Sequence, residues 1–408
     1  MNPNHLQDSD YVAGSAGDVL RLIRSSDAMS RSTLARTTGL APSTVSLRVE
    51  ALVALGLVRE QGTEDSRGGR RARRLALAGD AGFVAGVDVG ANHVRVVLSD
   101  LAGRVLADSD TDATRAVGVS EDPAETVDAL WAAINELAAV AGLDPDRFRG
   151  AAIGIPAPIE YPSGRVVTPS FRPTWHEADL PGLFARHTPA PVLVENDANL
   201  IALYESTERG RTDENQLLAI KIGTRIGCGI LASGRLHRGI GGAAGEISHM
   251  AVAGESVIAC TCGVPNCLDS VASGGAIAAK LRALGLDAAG ASDVVALGAR
   301  GEPLALDALR EAGAMIGQSL AGIVNFFNPR EVVLAGSMSA SLPLVAAIRA
   351  ELFQKCLPLV AHDLEVRATR DARVAGIRGA TLLALDEVLA PARIDALLRE
   401  TADDVRTA

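Results

Sequence analysis

The sequence predicts an α/β protein headed by a winged helix-turn-helix. Three observations predict it. The first eighty residues read as three short helices and a basic hairpin, apolar strands alternate with helical stretches over the remainder, and one strand, glycine turn, strand pattern occurs twice. A length of 408 residues leaves room for two or three domains, and a composition 48% hydrophobic and 22% charged is that of a globular chain rather than a disordered one. No uncharged apolar run reaches the roughly 18 residues of a membrane span, and the polar residues 1–10 do not read as a secretory signal. The expected location is the cytoplasm.

In the head, Val19, Leu20, Leu22 and Ile23 give a first helix its apolar stripe. Ser32 is the expected cap of a second helix through Leu34 and Ala35, which Gly39 ends. Pro42 suits the first turn of a third helix, although Ala41 stands where a Ser or Asp cap is usual. On that helix Val45, Val49, Leu52 and Val53 share one face, and Ser43, Thr44, Leu47 and Arg48 lie away from it. Gly56 stops the helix, with Leu55 and Leu57 expected beneath it. Leu57 and Val58 begin a strand, residues 62–69 turn, and Arg70 to Leu77 return.

Charge gives this head a direction. Residues 1–80 hold eleven Arg against nine acids, a balance of +2, which leaves −12 of the net −10 for the remainder. Arg67, Arg70, Arg71, Arg73 and Arg74 fall in one short stretch. Ser43, Thr44 and Arg48 are then candidates for base edges in the major groove, and Arg67, Arg70 and Arg71 for phosphates beside the wing. The alternative is a solvated helical bundle with a basic loop, which the order helix, glycine turn, helix, basic hairpin disfavours. The expected partner is a double-stranded DNA operator. Paired half-sites imply a homodimer or homotetramer.

Residues 78–82 are small and suit a linker. Val84 to Leu98 then reads as strand, turn at Gly90, strand, with a further turn at Asp100 to Gly103 and a third strand over residues 104–108. Leu217 to Leu231 repeats the pattern, and Ser233-Gly-Arg235 turns into its third strand. A duplication implies two related lobes across a cleft, and hairpin amides pointing into a cleft can hold phosphates; two unrelated meanders are the alternative. Helical periodicity marks residues 124–140, 198–207, 269–284, 304–327 and 375–389, and strands are expected over 150–155, 192–195 and 332–335.

Three constellations carry chemistry. Glu195-Asn-Asp-Ala-Asn199 follows a short apolar strand and opens a helix, where Asp197 could accept a proton from a sugar hydroxyl and Asn196 could orient the sugar; taken alone, a helix cap is the better explanation. Gly241-Gly-Ala-Ala-Gly-Glu-Ile-Ser-His249 is a glycine-rich turn that projects Glu246 and His249 together if the segment is helical or turn-like. Cys260-Thr-Cys-Gly-Val-Pro-Asn-Cys267 is the most specific of the three. Its three thiolates, with His249 as fourth ligand, form a closed Cys₃His set suited to structural Zn2+. Cys228 and Cys356 read as core residues.

Together these motifs resemble the ROK family (repressor, open reading frame, kinase) over almost the whole chain, and its regulator branch in particular. The resemblance rests on Glu195-Asn-Asp-Ala-Asn199, on Ala244-Gly-Glu-Ile-Ser-His249 with Ser248 in place of glycine, and on the cysteine loop, with Asn266 where glycine is usual. It implies a two-lobed, actin-like, sugar-kinase-like body behind the winged helix. Small lobe 81–199 would be followed by a larger lobe 200–374 with the zinc loop and sugar pocket, and a helix at about 375–390 would return to the first. It implies sugar contacts from Asn196, Asp197, Glu246, His249 and Asp269, the last one methylene shorter than the family's glutamate. The strand and turn Asn328 to Gly336 resemble the support for adenosine in the kinases.

The function this implies is a DNA-binding regulator responsive to a sugar or sugar phosphate, expected to repress genes of carbohydrate metabolism. The alternatives are an active, glucokinase-like ATP-dependent sugar kinase with a DNA-binding domain, in which Asp197 would be the base, and a scaffold signalling through a protein partner. Catalysis is not expected. Ala91 and Asn92 follow Gly90 where the kinases carry Gly-Thr, and Arg225 replaces the last glycine of Gly-Thr-Gly in the second turn. Arg225 could instead pair with a phosphate.

Overall fold

The computed structural model describes residues 14–25, 29–63, 73–90, 94–111, 118–167, 173–207 and 215–407. The head comprises α1 (Ala16–Arg24), β1 (Met29–Ser30), α2 (Arg31–Thr38), α3 (Pro42–Ala54), β2 (Val58–Thr63) and β3 (Arg73–Leu77), with β3 between β1 and β2 in a small antiparallel sheet. Ser15 caps α1 through its hydroxyl, which accepts from the Asp18 amide at 3.1 Å. The cap of α2 is Ser30, not Ser32: the Ser30 hydroxyl accepts from the Thr33 amide at 3.3 Å. Pro42 opens α3 without a side-chain cap at Ala41. Val45, Val49 and Leu52 are buried under α3, but Val53 is 41% exposed and does not share their face. Most of the expected wing, including Arg67, Arg70 and Arg71, lies outside the described residues.

The body contains two five-stranded sheets with one plan. The first is built from β4 (Phe83–Val89), β5 (Val94–Asp100), β6 (Val105–Asp108), β7 (Phe148–Ile155) and β8 (Val192–Asn196), with α4 (Pro123–Val140), α5 (Leu180–Phe184) and α6 (Asp197–Glu205) interposed or following. The second holds β9 (Leu217–Ile222), β10 (Ile226–Ala232), β11 (Arg235–Leu236), β12 (Glu331–Ala335) and β13 (Glu365–Ala368). Strand orders are β6-β5-β4-β7-β8 and β11-β10-β9-β12-β13. In each, the first three strands form an antiparallel meander and the last two add in parallel. The repeated glycine-turn motif thus marks a duplicated sheet.

Between β11 and β13 run α7 (Leu268–Ala272), α8 (Gly274–Ala283), α9 (Ala291–Ala299), α10 (Pro303–Phe327), α11 (Leu342–Lys355) and α12 (Pro358–Ala361). The single helix expected over residues 269–284 breaks at Ser273, whose backbone is extended and whose hydroxyl caps α8 by accepting from the Ala276 amide. After the second sheet, α13 (Ala375–Val388) packs on β4, β7 and α6, and α14 (Pro391–Thr407), absent from the sequence reading, packs on α1. Among the described residues no helix is long and apolar enough to cross a membrane.

The position of α6 decides the cleft. It leaves the end of β8 in the first sheet and lies against β9 and β10 of the second. Glycines permit this approach. A Cβ on Gly229 of β10 would stand 2.2 Å from the Ala198 carbonyl oxygen, and one on Gly379 of α13 would stand 1.9 Å from that of Leu200. The head is not a separate bead. Leu20, Leu34, Leu52 and Leu75 share one apolar cluster with Val84, Ala384, Leu389 and Ile394 of the body, and each fully buried leucine contributes about 2 kcal/mol.

Candidate functional site

The five residues expected to meet a sugar line one cleft. Asn196, Asp197, Glu246, His249 and Asp269 face it together with Lys221, Arg225 and Pro156 to Pro158. Asn196 also serves as the N-cap of α6. Its Oδ1 accepts from the amides of Ala198 at 2.9 Å and Asn199 at 3.4 Å, and its Nδ2 donates to the Ala157 carbonyl at 3.0 Å. The cap and the cleft roles therefore coincide in one side chain. Behind it, Glu195 is fixed by Asn199 Nδ2 at 2.8 Å and Arg238 Nε at 2.6 Å.

Asp197 opens α6, is 6% exposed, and is bound by the ammonium of Lys221 from β9. Burial pushes the Asp197 carboxyl upward while Lys221 pulls the other way. Burial disfavours charge on Lys221, but Asp197 and Asp88 outweigh it and hold its pKa above the ordinary lysine value. Lys221 was missed in the sequence reading. Its signal was a lone charge in the apolar strand Leu217 to Ile222.

Asp269, near the start of α7, is 1% exposed and accepts from Arg225 Nη1 at 2.7 Å and from the Ile226 amide at 2.9 Å. Arg225 is thus spent on an internal carboxylate. The turn it closes is bonded to α8 as well, because the amides of Gly274 and Gly275 donate to the carbonyls of Gly223 and Thr224 at 2.8 and 3.2 Å. Glu246 does not sit in a helix with His249. It precedes a single 3₁₀ turn, Ile247–His249, reached through Gly245, whose positive φ of 92° places a would-be Cβ 2.1 Å from the Cys228 carbonyl oxygen. Burial, with Asp197 and Asp269 adding, pushes the Glu246 carboxyl up to about 7. Burial lowers the His249 pKa.

The ligand atoms of His249, Cys260, Cys262 and Cys267 all lie within 4.8 Å of one another, so this set could hold a metal ion. Local bonds bring them together. Leu268 donates to the Met250 carbonyl at 2.9 Å and Val252 to that of Asn266 at 3.0 Å, clamping the histidine segment to the cysteine loop. Gly263 at φ 76° and Asn266 at φ 50° make the loop's left-handed turns. Cys228 and Cys356 are buried apart from this set, as core residues.

On the head, Ser43 and Leu47 of α3 are exposed, Thr44 and Arg48 half-buried, and Arg73 of β3 is paired with Glu60 at 2.7 Å.

The ROK family is matched over residues 84–387, and a helix-turn-helix domain over residues 15–61. The chain belongs to the ROK family. Among its relatives is a xylose repressor of Bacillus spizizenii, 29% identical over 91% of this chain and 94% of that protein. A ROK transcriptional regulator described as a homologue of the Escherichia coli MLC protein superimposes with a TM-score of 0.78, at 25% identity, covering 94% of this chain and 98% of the other. A ROK glucokinase from Streptomyces griseus, solved with glucose and AMPPNP, matches 74% of this chain and 99% of its own length, with a TM-score of 0.62 and 25% identity.

Proposed function

We infer that this ROK protein is a sugar-responsive, DNA-binding transcriptional repressor of carbohydrate genes. The observation that carries it is the union, in one chain, of a helix-turn-helix head and a cleft lined by Asn196, Asp197, Glu246, His249 and Asp269. The full-length likeness to a xylose repressor supports the same reading. The head takes a double-stranded operator, with Ser43, Thr44 and Arg48 at base edges and Arg67, Arg70 and Arg71 at phosphates. Two copies read paired half-sites, as a homodimer or homotetramer, in the cytoplasm where the operator lies. Residues 1–80, 81–199 and 200–374 act as head, small lobe and large lobe, with α13 returned to the small lobe.

His249, Cys260, Cys262 and Cys267 hold Zn2+ in this reading. Three thiolates and an imidazole satisfy its tetrahedral preference and leave no position for water, so the ion is structural. It would join the cysteine loop to His249 and so fix one wall of the sugar cleft.

The cleft binds a sugar without phosphorylating it. Asp197 could serve as a base, but its carboxylate is engaged by Lys221, and Arg225 crosses to Asp269 rather than leaving an open glycine turn for phosphates. A thermal-shift screen of sugars and sugar phosphates tests the reading, because a ligand selective for the native state raises its melting point. If no sugar shifts the melt at millimolar concentration, the sensing role is lost.

A further inference from the structure

The polar groups that line the cleft fall into two sets. Most are already engaged. Asn196 accepts from two amides and donates to the Ala157 carbonyl, Asp197 holds Lys221, and Asp269 holds Arg225 and the Ile226 amide. His249 Nδ1 lies 3.6 Å from Cys260 Sγ. Ser248 belongs to the other set. It lines the same cleft and is 5% exposed, yet its hydroxyl makes no hydrogen bond with any described residue. Nor is that oxygen among the side-chain atoms sealed from solvent without a partner, so its open surface lies in the cleft.

Ser248 is also fixed in place. It is the middle residue of the 3₁₀ turn Ile247–His249. Ile247 is rooted in the apolar core beside the second sheet, with Ile226 and Leu268. The Met250 amide closes the turn on the Ile247 carbonyl at 3.1 Å, and the Met250 carbonyl accepts from Leu268 at 2.9 Å. Just ahead, Gly245 is pressed onto β10 too closely for a Cβ. The turn therefore cannot retreat from a ligand, and rotation of the hydroxyl is what Ser248 can still adjust. Where the ROK motif has glycine, this chain has that hydroxyl.

We propose that Ser248 is a specificity-determining residue of the cleft, whose hydroxyl bonds a hydroxyl of the sugar and selects against analogues that lack it. The proposal rests on the sugar-binding reading and sharpens it. A serine hydroxyl both donates and accepts, as a sugar hydroxyl does, so the pair needs no charge on either side. A ligand that fills the cleft expels solvent from Ser248. A sugar with a hydroxyl at that point gives a bond back. One deoxygenated there leaves a buried hydroxyl unpaired, which is the costlier outcome. The ligand class is thus a sugar with a free hydroxyl at the carbon that meets Ser248.

The experiment pairs a change in the residue with a change in the sugar, by calorimetric titration of full-length, zinc-loaded native and variant protein. The probes are D-xylose, D-glucose, D-galactose and N-acetyl-D-glucosamine, followed by each monodeoxy analogue of the tightest binder. Native protein should bind one of these analogues at least about fivefold more weakly than its parent. Ser248→Ala should weaken the parent by a similar factor, yet bind that one analogue as native protein does, because the two changes remove the same bond. The remaining analogues should weaken on Ser248→Ala as the parent does. Ser248→Gly, which also lacks the hydroxyl, gives the same reading if the Ala variant does not fold. A variant that binds the parent as tightly as the native chain overturns the proposal. So does one that weakens the parent and every analogue alike, since the hydroxyl then acts on the fold rather than on one group of the sugar. If none of the four sugars binds the native chain, the sugar-binding reading falls and the role of Ser248 falls with it.

Discussion

The backbone amide of Gly17, in the first helix of the head, donates to the carboxylate of Asp395 in the last helix of the chain at 2.9 Å. The helices touch at this point with no room to spare, since a Cβ on Gly17 would lie 2.3 Å from the Pro391 carbonyl oxygen. Through α13 the last helix is packed against α6, whose first residues line the cleft. Head and cleft are therefore joined by packed helices rather than by the linker alone. A sugar can alter the head only by favouring one arrangement of these parts over another.

Gly17→Ala should force α1 and α14 apart. The expected cost is roughly 1–3 kcal/mol of stability, typical of overpacking, together with a weaker effect of sugar on DNA affinity. Thermal melts and operator titrations with and without sugar check both. A variant that melts and responds like the native chain would show that this joint carries no coupling.

Cys267→Ser should release the metal and loosen the wall of the cleft, because metal binding and folding are linked. Elemental analysis should find about one zinc per native chain and far less in the variant, with a stability loss of roughly 3 kcal/mol or more. Metal-free native protein of undiminished stability would refute the structural role.

Stability should depend on pH through Glu246. Its carboxyl is raised from 4.5 to about 7 on folding, so the folded state holds the extra proton between those values. The contribution is fully present below pH 4.5, declines as pH rises toward 7 and is absent above it, amounting to at most about 3 kcal/mol. Denaturant melts across this window should show a slope that Glu246→Gln removes. An identical slope in the variant would assign it to other groups.

Kinase activity should be absent. A coupled assay with ATP, magnesium and a sugar panel should show nothing near the rate on the order of 1 per second found at the slow end for kinases. Turnover at that rate, abolished by Asp197→Asn, would reinstate the kinase reading.

Much of this was legible in the chain itself. The repeated strand and glycine-turn pattern foretold the two matching sheets, because a strand buried on both faces leaves a continuous apolar run. The cysteine spacing foretold the convergence with His249, since the loop is short and local. Three features were not legible. Lys221 stood out only as a charge in an apolar strand, and its partner Asp197 belongs to a different element 24 residues away. Asp269 fell within a helical pattern, but its pairing with Arg225 is set by the fold between α7 and β10. The break at Ser273 was hidden because the same apolar periodicity runs through α7 and α8, and a serine can sit within a helix or cap one.

The central claim is that sugar in the cleft changes the grip of the head on DNA. The direct measurement is the affinity of the full-length protein for an operator selected from a randomised duplex pool, with and without the neutral sugar that most raises its melting point. The account predicts a change of at least about fivefold, within the usual range of allosteric coupling, and its disappearance in Asp197→Ala. An operator affinity that the sugar leaves unchanged, or an Asp197→Ala protein that responds to it as the native chain does, would contradict the account.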